Sequence, residues 1–261
     1  MKLRRKIRKY FDYLITKIKV LREQKVYRFG EIDLKYIYKA KKQADVLVVV
    51  FSACTRPGLK ARYNYVKTLD GMNCNRLYIL DDFGYDQRGS YYLGRMPEFK
   101  EQKAAISLIQ KVIREINPQK VLFCGSCKGG FAALNIGSRF ENSVMIVGEP
   151  TYRIATEFKL AEDLMRYWMG DVTEENIKYV DSYLETQLRN NSYIGSQKVC
   201  FFYSEKDEYV KLHTNPLLHT LYEVGYDFEK EPAQFVAHAD LGLYFPEYLK
   251  KKVRLYLENG M

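Results

Sequence analysis

Cys127 stands in a glycine-flanked segment whose residue types suit nucleophilic catalysis. The segment Gly-Ser-Cys-Lys-Gly at 125–129 follows an apolar run and precedes another, Gly-Phe-Ala-Ala-Leu at 130–134. A strand that turns sharply into a helix needs small residues, because the two backbones nearly touch at the turn. Such a turn lifts one side chain out of the sheet and points the next backbone N–H at the same space. The pattern predicts a cysteine nucleophile at Cys127 and an oxyanion donor at the Lys128 amide.

A cysteine nucleophile needs a base, and the chain has three histidines, His213, His219 and His238. His213 and His219 fall at and within a predicted helix, where histidines are more often surface residues. His238 lies in a predicted loop between the last strand and the last helix. A neutral imidazole accepts a thiol proton, or pairs with a thiolate, near pH 7. We therefore expect His238 to be the base.

A carboxylate is expected to orient that histidine and to stabilise its charged form. The sequence Ser-Glu-Lys-Asp-Glu at 204–208 follows a predicted strand and offers three carboxylates. Asp207 is the favoured acid because of its position in this loop. Glu205 and Glu208 remain alternatives, and so does Glu149, which follows the preceding strand.

The loops after two other predicted strands supply further candidates. Ser52 and Ala53 follow the apolar run 45–51, and both are small enough to let a backbone donor reach a substrate. A second loop, after the strand that ends near residue 80, combines carboxylates with aromatic side chains, as sugar-binding sites and fold-stabilising loops both do. The predicted substrate-binding residues are Asp82, Arg88, Tyr91, Tyr92 and, in a later insertion, Trp168.

Strands and helices alternate along the chain, which predicts an α/β fold with a mostly parallel sheet and helices on both faces. The predicted strands are 25–29, 34–39, 45–51, 76–80, 121–124, 143–148, 199–203 and 228–236. The predicted helices are 100–116, 127–139, 215–224 and 243–257. Residues 155–190 are charged and helical, and they form an insertion that is expected to cap the site.

Residues 2–24 predict a basic amphipathic helix with a heptad-like apolar stripe. Such a helix packs on the body of the protein, pairs with a second copy, or binds an anionic membrane surface. The formal net charge of +10 favours acidic partners in general, but no nucleic-acid-binding motif accompanies it. We expect one domain over residues 25–261, preceded by this helix.

The five cysteines fit a reducing cytosol better than a disulfide framework, so a cytoplasmic protein is expected, with peripheral membrane attachment as an alternative. They lack the spacing of a metal site, and no cofactor is predicted. No run of about 20 apolar residues predicts a membrane span. The N-terminal residues do not resemble a signal peptide, because they are charged throughout.

The elbow at 125–129 resembles that of the α/β-hydrolases, with cysteine where serine is usual. Together with Val-Val-Val-Phe-Ser at 48–52, Gly-Ser-Tyr-Tyr-Leu-Gly at 89–94 and His-Ala-Asp-Leu-Gly at 238–242, it resembles two kinds of bacterial protein. They are the hydrolase-like proteins of capsular polysaccharide biosynthesis and the hydrolase-like domain of the Gram-positive accessory secretion-system protein. The resemblance implies an esterase or acyltransferase acting on a capsular glycan or glycoprotein. An inactive assembly protein and a lipid or thioester hydrolase remain alternatives.

Overall fold

The computed structural model describes residues 20, 22–157 and 161–258. Within them, eight strands form one sheet in the order β1-β2-β4-β3-β5-β6-β7-β8. The strands are β1 (Lys25–Phe29), β2 (Ile32–Lys39), β3 (Val46–Phe51), β4 (Asn75–Ile79), β5 (Lys120–Ser126), β6 (Ser143–Gly148), β7 (Lys198–Ser204) and β8 (Asp227–Ala233). The predicted helix at 2–24 lies almost entirely outside the described residues and stays a prediction.

The six strands from β4 to β8 in this order run parallel, and β2 is antiparallel to both of its neighbours. The central strand β3 is buried along its whole length. Its residues alternate between the two faces of the sheet, since Leu47, Val49 and Phe51 enter one core and Val46, Val48 and Val50 enter the other. Because β3, β5, β6 and β7 run parallel, their carboxyl ends lie at the same end of the sheet, where the candidate functional residues follow them.

The seven helices of the described residues are α1 (Lys100–Ile116), α2 (Lys128–Gly137), α3 (Ile154–Glu157), α4 (Glu162–Met169), α5 (Glu174–Arg189), α6 (Asn215–Val224) and α7 (Leu241–Glu258). Six of them, α1 to α6, contribute to the core on one face of the sheet. Helix α7 and part of the loop between β3 and β4 cover the other face. The predicted mostly parallel sheet with helices on both faces is confirmed.

Two predicted elements have different bounds in the structure. Strand β8 ends at Ala233 rather than at residue 236. It is an edge strand and contains Pro232, a residue without an N–H to donate. The insertion at 155–190 divides into three helices rather than one continuous helical segment. In the part of the chain that the structure describes, no helix has both the length and the apolar character needed to cross a lipid bilayer.

Candidate active site

Cys127 occupies a sharp turn between β5 and α2, with φ 51° and ψ −118°. A positive φ at a residue other than glycine costs roughly 1–3 kcal/mol and persists where the surroundings impose it. The flanking glycines allow the turn: a Cβ on Gly125 would lie 2.2 Å from the Gly129 carbonyl oxygen, and one on Gly129 would lie 2.7 Å from that of Phe51. The strand, the turn and the helix therefore adopt the geometry that the sequence pattern predicts.

Polar groups surround the Cys127 sulfur. The Thr151 Oγ1 lies 3.6 Å from Sγ. Hydrogen bonding from the Cys54 thiol is the largest influence on the pKa of Cys127 and lowers it. Thr151 and the Lys128 amide act in the same direction, and together these groups outweigh burial, which raises that pKa. Cys127 therefore loses its proton more readily than an ordinary cysteine.

His238 follows β8 in a short 3₁₀ turn, His238–Asp240, and its ring is partly buried. Its Nδ1 lies 3.0 Å from Glu149 Oε2 and 3.4 Å from Asp207 Oδ2. Its Nε2 is buried and has no hydrogen-bond partner among the described residues. Burial lowers the pKa of His238, but the hydrogen bond with Glu149 and the two negative charges outweigh it, so that the pKa is raised. The carboxylates therefore hold Nδ1, and Nε2 is the ring nitrogen that stays available for a further hydrogen bond.

Glu149 and Asp207 both face His238, so the structure brings one alternative acid and the favoured one to the same nitrogen. Glu149 has φ 36°, and its Oε1 accepts a 2.7 Å hydrogen bond from the Ser204 amide. Burial and the nearby Asp207 raise the pKa of Glu149, while the His238 hydrogen bond opposes them. Glu205 and Glu208, the other two alternatives, are exposed.

The same three residues, Glu149, Asp207 and His238, bring possible metal-ligand atoms within 4.8 Å of one another. A metal ion would need the Nδ1 lone pair of His238, whereas the hydrogen bond to Glu149 needs an Nδ1 proton. The two uses exclude each other. A carboxylate–imidazole pair explains the cluster without a metal.

Tyr209 contacts both His238 and Glu157. Its ring stacks on His238 with centroids 3.7 Å apart and the planes 12° apart, and its hydroxyl donates to Glu157 Oε1 at 2.8 Å. The Tyr209 ring also contacts the His213 ring, with 4.4 Å between their centroids. His213 is fully buried, which corrects the expectation of a surface position; His219 is exposed. Helical periodicity could not reveal the burial of His213, because a π-helical turn, Val210–Thr214, carries it.

The two amides predicted to complete the oxyanion hole already donate hydrogen bonds. The Ser52 N–H donates to the Tyr92 hydroxyl, and the Ala53 N–H donates to Asn64 Oδ1 at 2.9 Å. Because each N–H already has an acceptor, these hydrogen bonds argue against Ser52 and Ala53 as oxyanion donors. The next amide, that of Cys54, has no hydrogen-bond partner among the described residues.

The predicted substrate-binding residues divide into buried and partly exposed groups. The aromatic members are at most 1% exposed and pack inside the protein: Tyr91, Tyr92 and Trp168. The Trp168 indole N–H donates to the Ser90 carbonyl, and its ring packs edge-on against Tyr91. Asp82 pairs with Lys35, and Arg88 donates to the Thr55 carbonyl. Arg88, Tyr91, Cys54 and the α4 residue Leu164 also line a cavity of about 20 Å³.

The Lys128 side chain has a role that sequence reasoning missed. Its ammonium is fully buried, lies 3.0 Å from Asp81 Oδ2, and donates to the Asp81 and Arg88 carbonyls. Gly89 makes room for it, because a Cβ there would lie 1.9 Å from Nζ. This buried ion pair holds the residue after Cys127 against the loop that carries Tyr91.

Over residues 85–220 the sequence matches the model of an uncharacterised protein family, UPF0227, a match that spans more than half of the chain. The chain belongs to this family. No curated protein sequence matches it.

Several solved structures share the fold of this UPF0227 protein. A mutant of the capsule O-acetyltransferase of Neisseria meningitidis serogroup A in complex with CoA has a TM-score of 0.74 and 18% identity, covering 88% of this chain and 94% of that chain. The Gap123 glycosylation-associated complex of Streptococcus agalactiae has a TM-score of 0.76 and 17% identity, covering 91% of this chain and 47% of that chain. An S-formylglutathione hydrolase of Agrobacterium tumefaciens has a TM-score of 0.66 and 8% identity, covering 90% of this chain and 94% of that chain. These likenesses confirm the predicted α/β-hydrolase fold.

Proposed function

We propose that this protein is a cysteine-dependent acyltransferase or esterase that adds or removes an acetyl group on a bacterial surface glycan, capsular glycan or glycoprotein. The observation that carries the proposal is the elbow itself. Cys127 stands at the head of α2 with the Lys128 amide donating to its sulfur, and the pKa of Cys127 is lowered. A thiolate at a helix N-terminus is an activated nucleophile.

In the proposed reaction the Cys127 thiolate attacks the acyl carbonyl carbon, and the oxyanion accepts hydrogen bonds from the Lys128 and Cys54 amides. The leaving group departs, and a thioester on Cys127 remains. His238 Nε2 then takes the proton of an acceptor hydroxyl or of water as that oxygen attacks the thioester. Glu149, with Asp207 beside it, holds the Nδ1 proton and stabilises the imidazolium.

Two features support an acetyl donor and a sugar acceptor. The capsule O-acetyltransferase with the same fold was solved with CoA, which makes acetyl-CoA the first donor to test. The pocket lined by Cys54, Arg88 and Lys128 is the proposed place for the acyl group, because Cys54 and Lys128 carry the proposed oxyanion donors. Asp82 and Arg88 are the proposed acceptor contacts, because they are the partly exposed members of the predicted set.

A non-catalytic assembly protein is the second candidate. The hydrogen bonds of the Ser52 and Ala53 amides favour it, since they leave the expected oxyanion hole incomplete. The likeness to the Gap123 complex points in the same direction. Association through residues 2–24, with a membrane or a second copy, would serve either function and stays a proposal.

Acyl-enzyme formation distinguishes the candidates. The full chain is incubated with acetyl-CoA, p-nitrophenyl acetate, a long-chain acyl-CoA or a lipid ester, and analysed by intact-protein mass spectrometry. We expect one acetyl group on Cys127 with the first two donors and none in Cys127→Ala. Preference for the long-chain donors would identify a lipid or thioester hydrolase instead. Absence of any acyl-enzyme and of turnover with every donor would favour the assembly protein.

A further inference from the structure

Two cysteines from distant parts of the chain meet at the nucleophile. Cys54 lies in the loop after β3, and the start of this loop packs on the turn at Cys127, since a Cβ on Gly129 would lie 3.1 Å from the Ser52 carbonyl oxygen. The two thiols are near enough that each shifts the pKa of the other. A second set of contacts supports this placement: the Tyr91 hydroxyl lies 3.7 Å from Cys54 Sγ and 3.2 Å from Thr151 Oγ1, which lies 3.6 Å from Cys127 Sγ. The two sulfurs therefore flank the same pair of hydroxyl groups.

These two cysteines are also the most accessible ones. Cys127 is 9% exposed and Cys54 is partly exposed, whereas Cys74, Cys124 and Cys200 have no exposed surface. Cys124 precedes Cys127 by three residues, but it belongs to β5 and packs into the core on the α7 face of the sheet. The partner of Cys127 is thus the cysteine 73 positions away rather than the one in its own Cys-x-x-Cys sequence.

We propose that Cys54 is a resolving cysteine: when a hydroperoxide oxidises Cys127, Cys54 closes a disulfide with it and so blocks the nucleophile reversibly. This inference concerns a covalent modification of the site and does not depend on which acyl group the protein transfers.

The chemistry balances with hydrogen peroxide as the oxidant. The Cys127 thiolate attacks one peroxide oxygen, the O–O bond breaks, and the products are Cys127 sulfenic acid and hydroxide. The Cys54 thiol then loses its proton and attacks the Cys127 sulfur. An S–S bond forms, the S–O bond breaks, and water leaves with the Cys54 proton. The two thiols lose two electrons in total, and the peroxide gains them.

The local electrostatics divide these roles between the two residues. The interaction between the two thiols lowers the pKa of Cys127 and raises that of Cys54. In the proposed sequence Cys127 is therefore the sulfur that reacts with peroxide, and Cys54 keeps its proton until the sulfenic acid forms.

The loop that carries Cys54 is able to move toward Cys127. A disulfide requires an S–S distance of about 2.0 Å, shorter than a sulfur hydrogen bond. Residues 52–74, between β3 and β4, contain no helix or strand, so closing the bond requires a local shift at Cys54 and no break in a helix or a strand ladder. Closing the bond removes the nucleophilic sulfur and pulls the Cys54 amide away from its position in the free site.

Peroxide treatment of the full-length protein tests the proposal. The protein is exposed to a small excess of hydrogen peroxide, alkylated, digested without reduction and analysed by mass spectrometry. We expect the intact mass to fall by two hydrogens, a linked Cys54–Cys127 peptide to appear, and dithiothreitol to reverse both changes. A Cys127 that resists peroxide, or that pairs with Cys124 instead, would overturn the proposal.

Two variants make the test specific. Cys54→Ser, with Cys54→Ala as a second choice if the first folds poorly, is expected to accumulate sulfenic and then sulfinic acid at Cys127, and dithiothreitol is expected to restore less of the thiol. Cys74→Ser is the matched control and is expected to form the disulfide as the wild type does. Reversible oxidation at Cys127 that is unchanged in both Cys54 variants would also contradict the proposal. Because the readout is mass, it stands even where no acyl transfer is found.

Discussion

Two histidines flank Tyr209, and their ring nitrogens are used in opposite ways. His213 Nδ1 accepts hydrogen bonds from the Tyr152 and Arg153 amides at 3.1 and 3.3 Å, so the proton must reside on Nε2, which faces Glu157 Oε2 at 3.2 Å. Both nitrogens are occupied by fixed partners. This histidine holds protein segments together and has no free position for a substrate proton.

His238 shows the reverse arrangement. Its Nδ1 faces the carboxylates of Glu149 and Asp207, so the Nδ1 proton is donated inward, and its Nε2 is left without a partner. Both rings lie beside carboxylates and against the same tyrosine, so an acidic neighbour alone does not distinguish them. The difference lies in what Nδ1 contacts: backbone donors fix a structural histidine, and carboxylate acceptors prepare a base.

The largest expected difference between the two histidines is in catalysis. His238→Ala should lower the rate of acyl transfer by roughly 10²–10⁴-fold, because a general base is lost. His213→Ala should retain activity within about tenfold of wild type when measured on folded protein. Turnover of p-nitrophenyl acetate, with Cys127→Ala as the background, measures both. Equal losses in the two variants would mean that the contrast between the histidines is not functional.

Stability should show the opposite order. His213→Ala leaves two buried backbone N–H groups unpaired and opens a cavity, so we expect a loss of about 2–4 kcal/mol in the free energy of unfolding. His238→Ala should cost less, because its ring is partly exposed. The exposed His219→Ala is the control and should change stability by no more than about 0.5 kcal/mol. Urea denaturation followed by circular dichroism measures all three; a His213 variant as stable as the control would contradict its structural role.

The sequence predicts the sheet and the turn at Cys127 correctly, because both depend on local signals. Gly125 and Gly129 mark the turn, and an apolar run marks each central strand. The acid is harder to predict, since Glu149 and Asp207 follow different strands and only the folded sheet brings both to one nitrogen. The sequence also does not reveal that the Ser52 and Ala53 amides already donate hydrogen bonds.

The roles of Tyr209 and Cys54 are non-local for the same reason. Tyr209 reaches His238 across 29 positions, and Cys54 reaches Cys127 across 73. No spacing rule connects residues that follow different strands. Tyr209 and His238 come together because β7 and β8 are neighbours, and Cys54 and Cys127 because β3 and β5 are neighbours although β4 separates them in the chain.

The two carboxylates allow the surroundings of His238 to be changed without removing its ring. Burial lowers the pKa of His238, but Glu149 is the largest of the influences that together raise it, so Glu149→Gln should lower that pKa. Because the base acts when neutral, activity rises as pH increases through this pKa, and in the variant the rise should move to lower pH with a plateau about tenfold lower. Asp207→Asn should shift the pKa in the same direction by less, since Asp207 is farther from Nδ1.

Titration by NMR of protein with isotope-labelled histidine measures the His238 pKa directly, and only three histidines need to be assigned. The pH dependence of acyl transfer gives the matching kinetic value. A larger shift in Asp207→Asn than in Glu149→Gln would make Asp207 the principal acid. An unchanged pKa in both variants would remove the carboxylates from the proposed mechanism.

The smallest expected effect separates the ring of Tyr209 from its hydroxyl. Tyr209→Phe keeps the stack on His238 and loses the hydrogen bond to Glu157, so we expect kcat within about threefold of wild type and a stability loss of about 1 kcal/mol. Tyr209→Leu removes the flat surface that fixes the imidazole plane, and kcat should fall by about three- to tenfold with KM unchanged. The His238 NMR signals should broaden or shift in the leucine variant alone. If the phenylalanine variant loses as much kcat as the leucine variant, the hydroxyl and Glu157 act on the reaction, and the division between a structural and a catalytic histidine no longer holds.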